Sequence, residues 1–189
     1  MNNLIERSGF RYLASFLILF LILISMTVEP ITTNILGEEI FIKTKPLDPR
    51  DIFRGDYVQL NYEINDINLE KLDEEILKLK DKEEENPFEY LRGKKVYVSL
   101  KKNGKFYVVD KVTLKKPAER IFLKGRYEYP LWDNSAQAKL NGIRVDYTLD
   151  KYFIPENTGK ELEEKSRNGE VFAKVKVYKG YSFLKEIVD

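Results

Sequence analysis

Three patterns of hydrophobic and polar positions divide the chain. Residues 12–28 read YLASFLILFLILISMTV, with no charge. Extended through Pro30 and Ile31, or back to Phe10, the run reaches about 20 residues, enough to cross about 30 Å of hydrocarbon as a helix. From residue 39 the pattern becomes alternation with period two, the mark of half-buried strands. One stretch, 65–80, has helical spacing instead. Leu69, Leu72, Ile76 and Leu79 share a face there, Asp66 or Asn68 can cap the start, and Lys78 and Lys80 lie late.

The alternating segments predict strands at 39–44, 57–64, 94–100, 106–112, 120–127, 142–147, 170–177 and 181–188. In 57–64, Val58, Leu60, Tyr62 and Ile64 oppose Tyr57, Gln59, Asn61 and Glu63. Asn103-Gly104 predicts a hairpin, and 178–180 predicts a second one. Residues 32–39 read as a linker, 81–87 (DKEEENP) as an exposed loop, and 155–167 as a short helix. The expected fold class is α+β. A transmembrane helix precedes a mostly antiparallel, barrel- or sandwich-like domain with one or two short helices.

Composition narrows the chemistry. The 189 residues contain no Cys and no His. Cysteine nucleophiles, Cys/His zinc sites, Ser-His-Asp triads, disulfides and a lipid-modified N-terminal Cys are therefore excluded. Net charge is +1, which gives no reason to expect a nucleic-acid partner. No metal site and no cofactor are expected. The KEEEN run at 82–86 lacks the spacing of a calcium loop. Trp132, in YPLWDNSA, reads as a partly buried loop anchor.

Arg7 and Arg11 precede the apolar run, whereas Glu29, Glu38 and Glu39 follow it. The positive-inside rule then predicts a cytoplasmic tail at 1–11, a transmembrane helix at 12–31, a linker and first strand at 32–44, and an extracytoplasmic domain at 45–189. A cleaved signal peptide is the rival reading. Against it, no A-x-A-like site follows Val28, and the run is long for a signal sequence. The expected location is the cell membrane, with a single pass.

Residues 55–62 read GDYVQLNY. Gly55, Asp56, Tyr57, Leu60 and Tyr62 resemble the octet of the GDYxxLxY family of membrane-anchored proteins. Upstream, PLDPRDIFR brings Asp48, Pro49, Arg50, Asp51 and Arg54; downstream, DKYFIPENTGKELE brings Tyr152, Phe153, Pro155, Glu156, Gly159 and Glu163. The resemblance covers nearly the whole chain. It implies a topology and a set of candidate residues, but no activity. Physically, Gly55 and Asp56 suit a tight turn at the start of a strand. Two readings stay open: a structural turn, or a recognition groove lined by Arg54, Asp56 and Tyr57. If Arg50 or Arg54 meets Glu156, the two blocks form one polar site.

A partial resemblance to type I signal peptidases rests on Ser25-Met26 and DPRDIFRGDYV (48–58). A Ser/Lys dyad needs no His. However, Pro30 is displaced from the Ser box, and a Ser inside an apolar helix commonly bonds back to a helix carbonyl. No pair of carboxylates is singled out for glycosidase chemistry. The expected function is a membrane-tethered binding or assembly module, acting on a membrane protein or envelope component. The alternative is an envelope enzyme using Asp/Glu or Ser/Lys chemistry.

Overall fold

A computed structural model of the chain describes residues 2–45, 57–80, 87–118, 121–133, 138–149, 151–153 and 171–188, with backbone alone for 2–10, 57–59, 79–80 and 151–153. Helix α1 spans Asn2–Leu36 and includes Pro30. The helix is long and apolar enough to cross a membrane over Arg11–Leu36, and its most apolar 18-residue window is not buried against protein. The segment expected to be a linker is therefore largely helical. Its last turn seats itself on the domain: Thr33 is fully buried, the Gly37 amide donates to the Thr33 carbonyl at 2.9 Å, and the Lys176 ammonium donates to the Asn34 carbonyl. Strand β1 (Glu38–Lys45) follows after Gly37.

The rest is antiparallel sheet, as the alternation predicts. Strands β10 (Phe172–Tyr178) and β11 (Tyr181–Val188) form a hairpin, and β1 pairs with β10. The end of β1 turns to pair with β3 (Asn61–Tyr62) through Thr44 and Lys45. A second sheet has the order β4-β8-β7-β5-β6, formed by Asp66–Asn68, Leu140–Asp146, Phe122–Trp132, Lys95–Asn103 and Phe106–Thr113. The β2 (Tyr57–Gln59) and β9 (Lys151–Phe153) pair stands apart. Leu123 in β7 bridges to Gly180 at the tip of the β10–β11 hairpin, so the two large sheets curl toward a barrel. One core fills the space between them. Ile40 and Ile42 of β1 meet Val96 and Val98 of β5, Ile143 and Val145 of β8, and Val175 of β10. Each of these positions is one of an alternating set, which is why a period-two pattern suffices to bury it.

Two expected elements are built differently. The strand expected over 57–64 breaks at Leu60 into β2 and β3, which belong to different sheets. The apolar face is nevertheless right, because Leu60, Tyr62 and Ile64 are all buried. The helix expected over 65–80 is only α2, Glu74–Lys80. Residues 63–65 and 69–71 are single 3-10 turns, and β4 lies between them. Asn65 explains the change. Its side-chain carbonyl accepts the Tyr62 amide at 2.7 Å and its amide donates to the Val145 carbonyl at 2.8 Å. A buried Asn tied to two strands holds the chain out of helix at its own expected helix start. Trp132 ends β7 rather than anchoring a loop, and it is half exposed.

Candidate functional site

The outer face of β4-β8-β7 carries an ionic row. Asp66, Arg144 and Tyr129 are cross-strand partners, so their side chains rise from the same face. The Arg144 guanidinium donates to Asp66 Oδ1 at 2.8 Å and to the Asn61 side-chain oxygen. Its Nε lies 3.2 Å from Glu128 Oε2, and Lys45 bonds Asp66 from the other side. Burial alone would lower the Arg144 pKa, but Asp66, with smaller contributions from Tyr129 and Glu128, raises it on balance. The guanidinium stays charged and fixed, held by three partners in a forked geometry. A cavity of about 180 Å³ opens here, lined among others by Asn61, Glu128, Arg144 and Asp146. Tyr129, 45% exposed, pairs with Arg144 across β7–β8, and Trp132, 49% exposed, ends β7. Burial of its ring also raises the Tyr129 pKa, with Arg144 opposing.

The floor of this cavity is made from the second half of the octet. Leu60 and Tyr62 are 2% and 1% exposed. The Tyr62 hydroxyl donates to the Leu149 carbonyl at 2.7 Å, and the Tyr147 hydroxyl donates to the Ile64 carbonyl at 2.8 Å. Burial pushes the Tyr147 phenol well above its ordinary pKa. Two tyrosines that each satisfy a distant backbone carbonyl from inside the core hold the broken strand in place. Leu60 and Tyr62 are thus core and clamp. Asn61, between them, is the residue that faces the ionic row.

The two sequence blocks of the expected polar site meet in space through their backbones. In the β2–β9 pair, Tyr57 lies opposite Phe153, Val58 opposite Tyr152, and Gln59 opposite Lys151. Asp48, Arg50, Asp51, Arg54, Gly55, Asp56, Pro155 and Glu156 lie outside the described residues, as do the side chains of Tyr57 and Tyr152; the expected Arg–Glu156 contact and the helix over 155–167 fall there too. A family model described as GDYXXLXY protein matches residues 19–187.

The chain belongs to the GDYXXLXY family. Comparison with curated proteins and with solved structures found no match. The resemblance to signal peptidases gains no support. The Ser25 hydroxyl donates to the Ile22 carbonyl at 2.7 Å, the helix back-bond expected of it. What sequence reading missed in this GDYXXLXY domain is Arg144, Asp66 and Glu128. A signal existed: Arg144 sits between Ile143 and Val145 in a strand whose other face is core, so it had to face outward beside whatever strand lay next to it.

Proposed function

We propose that this GDYXXLXY protein is a membrane-tethered binding or assembly module. In this reading α1 is a single-pass anchor in the cell membrane, its N-terminus is cytoplasmic, and the β domain lies outside, where it engages a membrane protein or envelope component. One observation carries the reading. Half-exposed Tyr129 lies across from a fixed Arg144 on one open sheet face, and half-exposed Trp132 ends the same strand. Trp, Tyr and Arg are the residue types that dominate protein interfaces. The adjoining cavity, about 180 Å³, is smaller than the roughly 300–1,000 Å³ typical of small-molecule sites. Surface recognition therefore suits this face better than substrate enclosure.

The test uses a photo-crosslinking amino acid at Trp132 or at Tyr90, an exposed control, in the full chain in its membrane. A discrete adduct at Trp132, absent at Tyr90 and weakened about tenfold or more by Arg144→Ala, is the expected result. Equal diffuse labelling at both positions would sink the binding reading. Orientation is tested separately, because a chain without Cys accepts single cysteines cleanly. Lys102→Cys should react with an impermeant maleimide on intact cells, and Asn3→Cys only after permeabilisation. The reverse pattern would overturn the assigned topology.

A further inference from the structure

A groove of about 410 Å³ lies where α1 meets the domain, lined by Glu29, Lys95, Lys124, Tyr181, Ser182 and Phe183 among others. Its depth is set by the helix. Arg11 and Glu29 bracket the uncharged run, and the helix between them is about 27 Å long at ~1.5 Å per residue. That length matches the roughly 30 Å hydrocarbon core of a bilayer. If Arg11 marks one boundary, Glu29 marks the other. Lys124 Nζ lies 3.6 Å from Glu29 Oε1, so β7 and the neighbouring hairpin reach down to that boundary. The domain does not hang free beyond the membrane. The helix continues through Leu36 into β1 after one residue, and Lys176 ties the Asn34 carbonyl to β10.

We infer that this groove holds the headgroup of an anionic phospholipid from the leaflet that α1 leaves. The inference rests on α1 spanning a bilayer. Three observations agree on that occupant. The groove lies at headgroup depth. Its charged side chains, Lys95, Lys124 and Glu29, sum to a positive charge that a phosphate would complement. Its lining is amphipathic, as a lipid requires: ammonium, hydroxyl and phenol groups from Lys124, Ser182 and Tyr181, with apolar surface from Phe183 and Leu184. An aromatic residue such as Tyr181 suits the membrane–water boundary for the same reason. A bound headgroup would also separate Lys124 from sole dependence on Glu29 and fix the tilt of the sheet against the membrane.

The experiment is native mass spectrometry of the full chain released from nanodiscs of phosphatidylcholine with one-fifth phosphatidylglycerol. The expected result is preferential retention of one phosphatidylglycerol, reduced about tenfold or more by Lys95→Gln with Lys124→Gln. Lys102→Gln, distant on the β5–β6 hairpin, should leave retention unchanged. If the double variant loses its sheet spectrum by circular dichroism, Lys95→Gln alone must still reduce retention severalfold. Excess inorganic phosphate should not displace the lipid; displacement at equal occupancy would mark a general phosphate site and overturn the inference. Normal incorporation into nanodiscs without lipid preference overturns the groove and leaves the anchor intact. Failure to incorporate overturns both.

Discussion

The β5–β6 and β10–β11 hairpins share a local design and differ in what surrounds them. Each joins its strands through two residues, and each places a glycine at positive φ. In β5–β6 the loop is Gly104-Lys105, since Asn103 is already paired with Phe106. Gly104 has φ 63 and open space where a Cβ would be. In β10–β11 the loop is Lys179-Gly180, with φ of 50 and 86, between paired Tyr178 and Tyr181. Two positive φ values in a row make a primed turn, whose twist matches that of the strands. A Cβ on Gly180 would come within 2.4 Å of the buried Phe122 ring. The Gly180 carbonyl also accepts the Lys124 amide at 2.9 Å, which links the two large sheets. One glycine serves a turn. The other serves a turn and a seam. A sequence pattern reports the first role in both places and the second in neither.

Substitution should separate the two roles. Gly180→Ala meets both the left-handed backbone penalty and an overpacked contact with Phe122, and should cost about 2–5 kcal/mol. Gly104→Ala meets the backbone penalty alone, about 1–2 kcal/mol. Urea denaturation of both variants checks the order, and equal losses would break the comparison. Acid is the next lever, and it should act on both hairpins. Hydrogen bonds from Lys185 and Lys174 hold the Glu39 carboxyl below its usual range, and Lys101 does the same for Asp110 across β5–β6. A carboxyl depressed in the folded state contributes stability above its unfolded pKa, and that contribution is lost as pH falls through the folded value. Stability should therefore hold near neutrality and decline below about pH 4, where unfolded carboxylates take up protons. A flat profile from pH 6 to 3 would refute this. The smallest effect belongs to the exposed Lys101–Asp110 pair, 2.8 Å apart. Asp110→Asn should cost under about 1 kcal/mol, and less in high salt.

Much of the fold was legible because alternation and hydropathy are local. Ile40, Ile42, Val96, Val98, Ile143, Val145 and Val175 are buried where their strands' period places them inward. The site was less legible because its parts are remote in sequence. Asn61, Asp66, Glu128 and Arg144 converge only when β3, β4, β7 and β8 are assembled. Asn65 misled the helix assignment for a related reason. Its partner is the Val145 carbonyl, eighty residues away, and no local propensity reveals that bond.

By itself the sequence determined an apolar helix capable of crossing a membrane, the family, and an antiparallel β domain with an inward-facing Leu60 and Tyr62. Those follow from the composition and period of short segments. Only the tertiary structure decided that the octet's strand divides between two sheets, that β2 brings the two family blocks together against β9, and that α1 runs on past Val28 to seat Thr33 in the domain. Each of these depends on a hydrogen bond or a packed contact between distant segments. Such contacts form only where the whole chain closes around one core.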